Sequence, residues 1–297
     1  MRRFPILTAL PLLLLLASAC TEEMSVHSRS DYHDYLTVES VLTDDPADSQ
    51  QVVLSRTVSY FQEESDPAVT GAHVRVNDIV FSDEGEGRYA APEGFCCEAG
   101  ATYHLQVELP EGQVYEAEAS MPEPGFRLDA IDYAFAGNKA KGIDSLWTLA
   151  LWGKDDEVAS YYQVSIAVNG NWYPFIMTEV MDDKLFNGKD VTWFPITTLL
   201  QTAALQERYG DCFKYLESGD VITLKVLTLD KGYFDFLTAL RMSGISIPIF
   251  SPQPANTPTN IRGGNALGWF AVCPSRSVSV AVDDPMRPYY LRLLLPQ

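Results

Sequence analysis

Histidine is nearly absent. The 297-residue chain has four, His27, His33, His73 and His104, and none occurs after position 104. No H-x-x-x-H occurs, so the helical spacing that offers two imidazoles to zinc is missing. No serine sits in G-x-S-x-G, and beyond residue 104 a Ser-His-Asp triad cannot be assembled at all. Cysteine is sparse too, with five in all and no C-x-x-C, which removes the thioredoxin-like and zinc-ribbon readings. Positive charge is short: 21 Lys and Arg stand against 40 Asp and Glu. So acidic a chain does not suit nucleic acid, which needs clustered Lys and Arg, nor electrostatic docking on anionic lipid. No apolar run approaches the roughly 20 residues of a membrane-spanning helix. No catalytic residue, metal or cofactor is expected, and the chain reads as a non-enzyme.

The longest apolar stretch is the leader. Met1-Arg2-Arg3 is basic, Ile6 to Ala19 is apolar or small with five leucines from Leu12 to Leu16, and Ala17-Ser18-Ala19 precedes Cys20. That is the layout of a secretory signal. Small residues before a cysteine point to a bacterial lipoprotein, with residues 1–19 removed and Cys20 acylated. The membrane is then reached through the lipid on Cys20. Thr21-Glu22-Glu23 resembles the export signal of Bacteroidota surface lipoproteins, which implies an outer-membrane anchor facing the exterior. The chain from Cys20 keeps 19 basic and 40 acidic residues, a formal −21. Four cysteines remain there, Cys96, Cys97, Cys212 and Cys273, and their spacing leaves all three pairings, or free thiols, open.

Beyond a polar tether at 20–35 the chain is mainly β. Ala101, Tyr103, Leu105, Val107 and Leu109 alternate with polar residues, as a half-buried strand requires. A Pro110-Glu111-Gly112 turn leads into Val114–Ser120, which alternates again and completes a hairpin. Leu36–Leu42, Gln51–Tyr60 and Ala72–Val80 read as further strands, so residues 36–121 form an immunoglobulin-like sandwich. Met121-Pro122-Glu123-Pro124-Gly125 breaks it. Residues 126–297 read as a second β-sandwich, with helices near 197–208 and 231–242. Asn169-Gly170 marks a hairpin, because both residues accept the positive φ of a type I′ turn. Trp172–Met177 would be the partner strand, Asp220–Leu229 a central one, and 267–273, 277–282 and 289–295 the closing ones.

Aromatic residues crowd the start of that second domain. Trp147, Trp152, Trp172, Tyr173 and Trp193 are the candidate binding aromatics, since exposed rings make sugar platforms and protein hot spots. The competing reading is sandwich core. The acidic groups, among them Asp44, Asp45 and Asp48, lie in turns, where solvated carboxylates are ordinary; a calcium loop or a glycosidase pair has no supporting pattern. Arg262-Gly263-Gly264-Asn265 precedes a strand, not a helix, so it is not a phosphate loop.

The order of the segments LTVESVLT, QVVLSRTVSYF, GAHVRV, GATYHLQVELPEGQVYEAEASMP, LFNGKD, GDVITLKVLTLDKGYFDFLTAL and PTNIRGGNALGWFAV resembles an uncharacterised Bacteroidota lipoprotein family, number 4249 among domains of unknown function. The most specific piece holds Asn260, Gly263, Gly264, Gly268 and Phe270. The resemblance implies two β domains and an accessory or ligand-binding role beside a TonB-dependent outer-membrane transporter in nutrient uptake. It carries over no catalytic residue. The alternatives are a free-standing glycan- or peptide-binding module, or an adhesin-like surface protein.

Overall fold

The computed structural model describes residues 35–57, 67–137, 145–243 and 257–287. The leader, Cys20 with its acids, the tether to residue 34, the end of the Gln51–Tyr60 strand, much of the Pro-rich crossing after residue 243 and the 289–295 strand lie outside these residues.

Period-two alternation becomes strands nearly throughout, and the protein is mainly β. The first seven are β1 (Leu36–Thr43), β2 (Gln51–Arg56), β3 (His73–Val76), β4 (Ile79–Asp83), β5 (Arg88–Ala90), β6 (Thr102–Glu108) and β7 (Val114–Ser120). The β6–β7 hairpin has the expected register, with Leu105 opposite Ala117 and Val107 opposite Tyr115. Its inward residues join Val38, Leu54, Val74 and Tyr89 in one core. The expected strand Ala72–Val80 is instead a hairpin. Asn77 adopts φ +52° and turns the chain between β3 and β4, and its Oδ1 accepts the His104 N–H at 2.9 Å.

The second half contributes β8 (Phe126–Phe135), β9 (Leu146–Asp155), β10 (Tyr161–Val168), β11 (Asn171–Trp172), β12 (Glu179–Asp182) and β13 (Asp190–Leu200). After these come the helix α1 (Ala203–Tyr209), β14 (Val221–Leu229), helix α2 (Lys231–Ser243), β15 (Ala266–Cys273) and β16 (Ser275–Ala281). One sheet runs β13-β9-β8. The other runs β11-β10-β14-β16, with β12 also on β10. Trp147, Leu149, Val164, Ile166, Ile222 and Leu224 fill the space between them.

Three expectations need correction. First, residues 126–297 do not close on themselves. β15 leaves the second sandwich and pairs in parallel with β1, Leu36 opposite Ala266 through Thr43 opposite Cys273. Phe270 and Val272 thereby enter the first core, while Ala271 and Cys273 face α2. Pro274 comes next, and β16 then returns to the second sandwich beside β14. Second, Thr197–Leu200 is strand, paired with Leu146–Leu149 of β9. α1 starts only after Thr202, whose hydroxyl accepts the Leu205 N–H at 3.2 Å. Third, the partner strand after Asn169-Gly170 lasts two residues, and a 3-10 turn at Phe175–Met177 comes after Pro174. The other helix is as expected. Asp230 Oδ1 accepts the Tyr233 N–H at 3.0 Å, and Tyr233, Phe236 and Leu237 pack on Leu229 and Ala271.

Cys96, Cys97, Cys212 and Cys273 are free thiols, and only Cys96 is exposed. Burial pushes Cys97 up to about 12 and Cys273 well above the usual thiol range. The reactive species is the thiolate. Brief maleimide treatment of the native protein at neutral pH should therefore label Cys96 alone among these four, with the others reacting after denaturation. Peptide mass mapping reads this directly, and fast native labelling of Cys97 or Cys273 would contradict the packing.

Candidate binding cleft between the two sandwiches

The register of β10, β14 and β16 fixes what their outer face displays. Ser165 lies opposite Lys225, and Lys225 opposite Ser277. One row further on, Ala167 lies opposite Thr223 and Trp172, and Thr223 opposite Ser279. Ile222, Leu224 and Val226, the intervening residues of β14, face the core. The sheet therefore shows serine and threonine hydroxyls around a single lysine.

The turn between β1 and β2 leans onto this face. Asp48 forms an ion pair with Lys225, both side chains mostly buried at 11% and 18% exposure. Asp48 Oδ2 also accepts the Thr43 hydroxyl at 3.0 Å. Asp44 accepts the Ser275 N–H at 2.7 Å and pairs with Arg276 at 2.8 Å. Two of the turn acids expected to be solvated are thus cross-links between the sandwiches. A buried pair returns little net energy when formed but costs much if one partner is removed. Its effect here is to fix the first sandwich against the second.

Between turn and sheet lies a cleft of about 610 Å³, lined by Val41, Asp45 and Ser49 from the first sandwich and by Ser165, Trp172 and Ser277 from the second. Trp172 is 44% exposed, and the Lys225 ammonium lies 4.6 Å from its ring centroid. The hairpin holding Trp172 is braced at its turn. Asn169 and Gly170 take φ +51° and +79°, and Asn169 is bonded through its side chain to both Asp220 and the Val221 N–H. Clefts between domains, part apolar with a few placed polar groups, are the usual position of ligand sites.

The five candidate aromatics part company. Trp147 is fully buried, its Nε1 donating to Pro285 O at 2.6 Å, with Phe135 and Tyr215 edge-on to its ring. Tyr173 points inward, stacked on Phe213 at 4.5 Å, and its hydroxyl accepts from Gln201 Nε2 at 2.8 Å. Burial raises its pKa above the usual phenol range. Trp152 and Trp193 pair at 5.3 Å, away from the cleft residues, where Trp193 takes φ +49° in a bulge of β13. Trp172 and Tyr173 both line the cleft, but Tyr173 is buried there and Trp172 is the one of the five with an accessible ring.

Asn260, Gly263, Gly264, Gly268 and Phe270 prove to be scaffolding. Asn260 uses its side-chain amide as a strand would use its backbone, donating to Phe270 O at 2.7 Å and accepting the Phe270 N–H at 3.0 Å. Arg262 exchanges two backbone hydrogen bonds with Glu116 of β7. This segment therefore ties β15 to β7, the two ends of the eight-stranded order β15-β1-β2-β5-β4-β3-β6-β7. Gly268 has φ +92° and lies against the Val38 carbonyl, leaving no room for a Cβ.

Sequence pattern alone does not mark Asp48, Ser165 or Ser277 as members of a site. Lys225 does carry a signal, as the one charge inside the apolar strand VITLKVLTL. Among the described residues no group of three or more His, Cys, Asp or Glu is placed to hold a metal ion, and no helix is long and apolar enough to cross a membrane.

The fold and cleft define a two-sandwich β protein with an aromatic-edged groove of mixed polar and apolar lining at the junction. Residues 21–279 match the family described as Domain of unknown function (DUF4249), and the chain belongs to that family. No curated protein matches it. Among solved structures it is similar to the chicken CNTN1 FN1-FN3 domains, at 9% identity and TM-score 0.23 over 66% of this chain and 62% of that one. It is also similar to the BSP domain of a biofilm-associated protein, at 11% identity and TM-score 0.19 over 66% of this chain and 27% of that one.

Proposed function

We propose that the protein is a non-enzymatic, lipid-anchored protein of the outer-membrane surface that binds a ligand for an associated TonB-dependent transporter. The observation that carries ligand binding is the cleft: an accessible indole on a braced hairpin, in a wall that both sandwiches build and an ion pair holds in shape. The anchor is supported by the basic, leucine-rich leader ending at Cys20, and the outward orientation by Glu22-Glu23. The family region opens at Thr21, directly after the cysteine that would carry the lipid. The partnership with a transporter rests on the Bacteroidota lipoprotein resemblance. One acyl chain gives only marginal anchoring, so a stable surface protein needs more than one chain or a partner.

The test is co-purification. Outer membranes extracted in mild detergent with the C-terminally tagged chain should yield a TonB-dependent transporter in stoichiometric amount. Recovery of the chain alone would overturn the accessory role.

A further inference from the structure

We infer that the cleft takes a neutral, hydroxyl-rich ligand, a saccharide, seated on Trp172 and the hydroxyl face of β10, β14 and β16. This rests on the reading of the cleft as a ligand site and adds the chemistry of the occupant. Three features select it. The first is charge. Lys225 is neutralised by Asp48 and Arg276 by Asp44, so both cations near the cleft are already paired. An anionic ligand would have to break one of those cross-links and approach a chain whose charge is strongly negative. A cationic ligand would find one carboxylate not so paired, Asp45, whose Oδ1 already accepts the Ala47 N–H at 2.9 Å.

The second is the hydroxyl inventory. Ser49, Ser165 and Ser277 line the cleft with no side-chain hydrogen bond among the described residues, and the Thr223–Ser279 hydroxyl pair extends the row. A hydroxyl both donates and accepts and rotates to suit its partner. Ser165 and Ser277 from the sheet and Ser49 from the turn stand among Val41, Ala47 and Leu227, which together match a ligand that carries hydroxyls and an apolar face. The third is the indole. A pyranose has an apolar C–H face and a polar rim, and Trp172 offers an apolar ring beside those hydroxyls.

The probe is a panel of neutral oligosaccharides, the hexamers of α-1,4-glucan, β-1,4-glucan, β-1,4-xylan and β-1,4-mannan, titrated into the full chain by calorimetry and tryptophan fluorescence. Oligogalacturonate and oligolysine serve as charged comparators. At least one neutral hexamer should bind saturably and more tightly than either comparator. Trp172→Ala should weaken it about tenfold or more, and Ser165→Ala with Ser277→Ala should weaken it further. An unchanged Tm in Trp172→Ala separates loss of contact from loss of fold. A flat response to every neutral hexamer, tighter binding of a charged comparator, or neutral binding indifferent to Trp172→Ala overturns the inference. If the transporter still co-purifies in that case, the accessory reading stands and only the ligand class falls; if the transporter is absent while a hexamer binds, the reverse holds.

Discussion

Gly268→Ala should be among the most damaging single substitutions in this protein, costing about 4 kcal/mol or more and lowering Tm by about 10 °C. An added methyl would collide with the backbone of Val38 on the neighbouring strand, and φ +92° would strain any L side chain even in open space. The strands on both sides are pinned by eight register pairs, so the clash cannot be relieved locally. Thermal unfolding of the purified variant measures the loss. Gly112→Ala is the control: it also has positive φ but meets nothing within 4 Å, so it should lose only the conformational part. If the two variants unfold at the same temperature, the close approach of β15 to β1 is not as described.

Trp147→Ala should cost about 3–5 kcal/mol, since the largest fully buried side chain leaves a cavity and the Pro285 carbonyl loses its donor. Trp172→Ala should change stability by less than about 1 kcal/mol, because nearly half of that side chain is already in water. Denaturant unfolding of both variants gives the contrast. Equal losses would mean that Trp172 is a core residue and that the cleft has no free aromatic wall.

That contrast shows where the sequence was legible and where it was not. Leu105, Val107, Tyr115 and Ala117 alternate in residues short enough to pair within one hairpin, so their strands, register and core face could all be read directly. Trp172 and Tyr173 could in principle have been told apart too. A two-residue turn at Asn169-Gly170 sets Trp172 opposite Ala167, and parity then sends Tyr173 to the other face. What obscured it is that β10 is buried on both faces, Gln163 and Ala167 as well as Tyr162, Val164, Ile166 and Val168, so neither parity reads as solvent. The destination of β15 was beyond reach for a different reason. Its alternation suits any sheet, and what selects the first sandwich is tertiary: the fit of Gly268 against Val38, the Arg262 bonds to Glu116, and Phe270 and Val272 in the first core. Asp48 is hidden in the same way: Lys225 stands out as the one charge in VITLKVLTL, but its meeting with Asp48 is a product of tertiary folding.

The return of β15 also bears on how the protein is made. Among the described strands β1 is the first to be synthesised, and β15, which covers its open edge, is the last but one. Until then the N-terminal sheet has unpaired N–H and C=O groups along β1, the kind of edge that recruits other chains. Contacts of such long sequence separation slow folding. For the exported lipoprotein proposed above, that delay would keep the chain threadable until β15 has crossed. A fragment ending after β14 would keep the vulnerable edge for good, and so would be expected to aggregate where the whole chain does not.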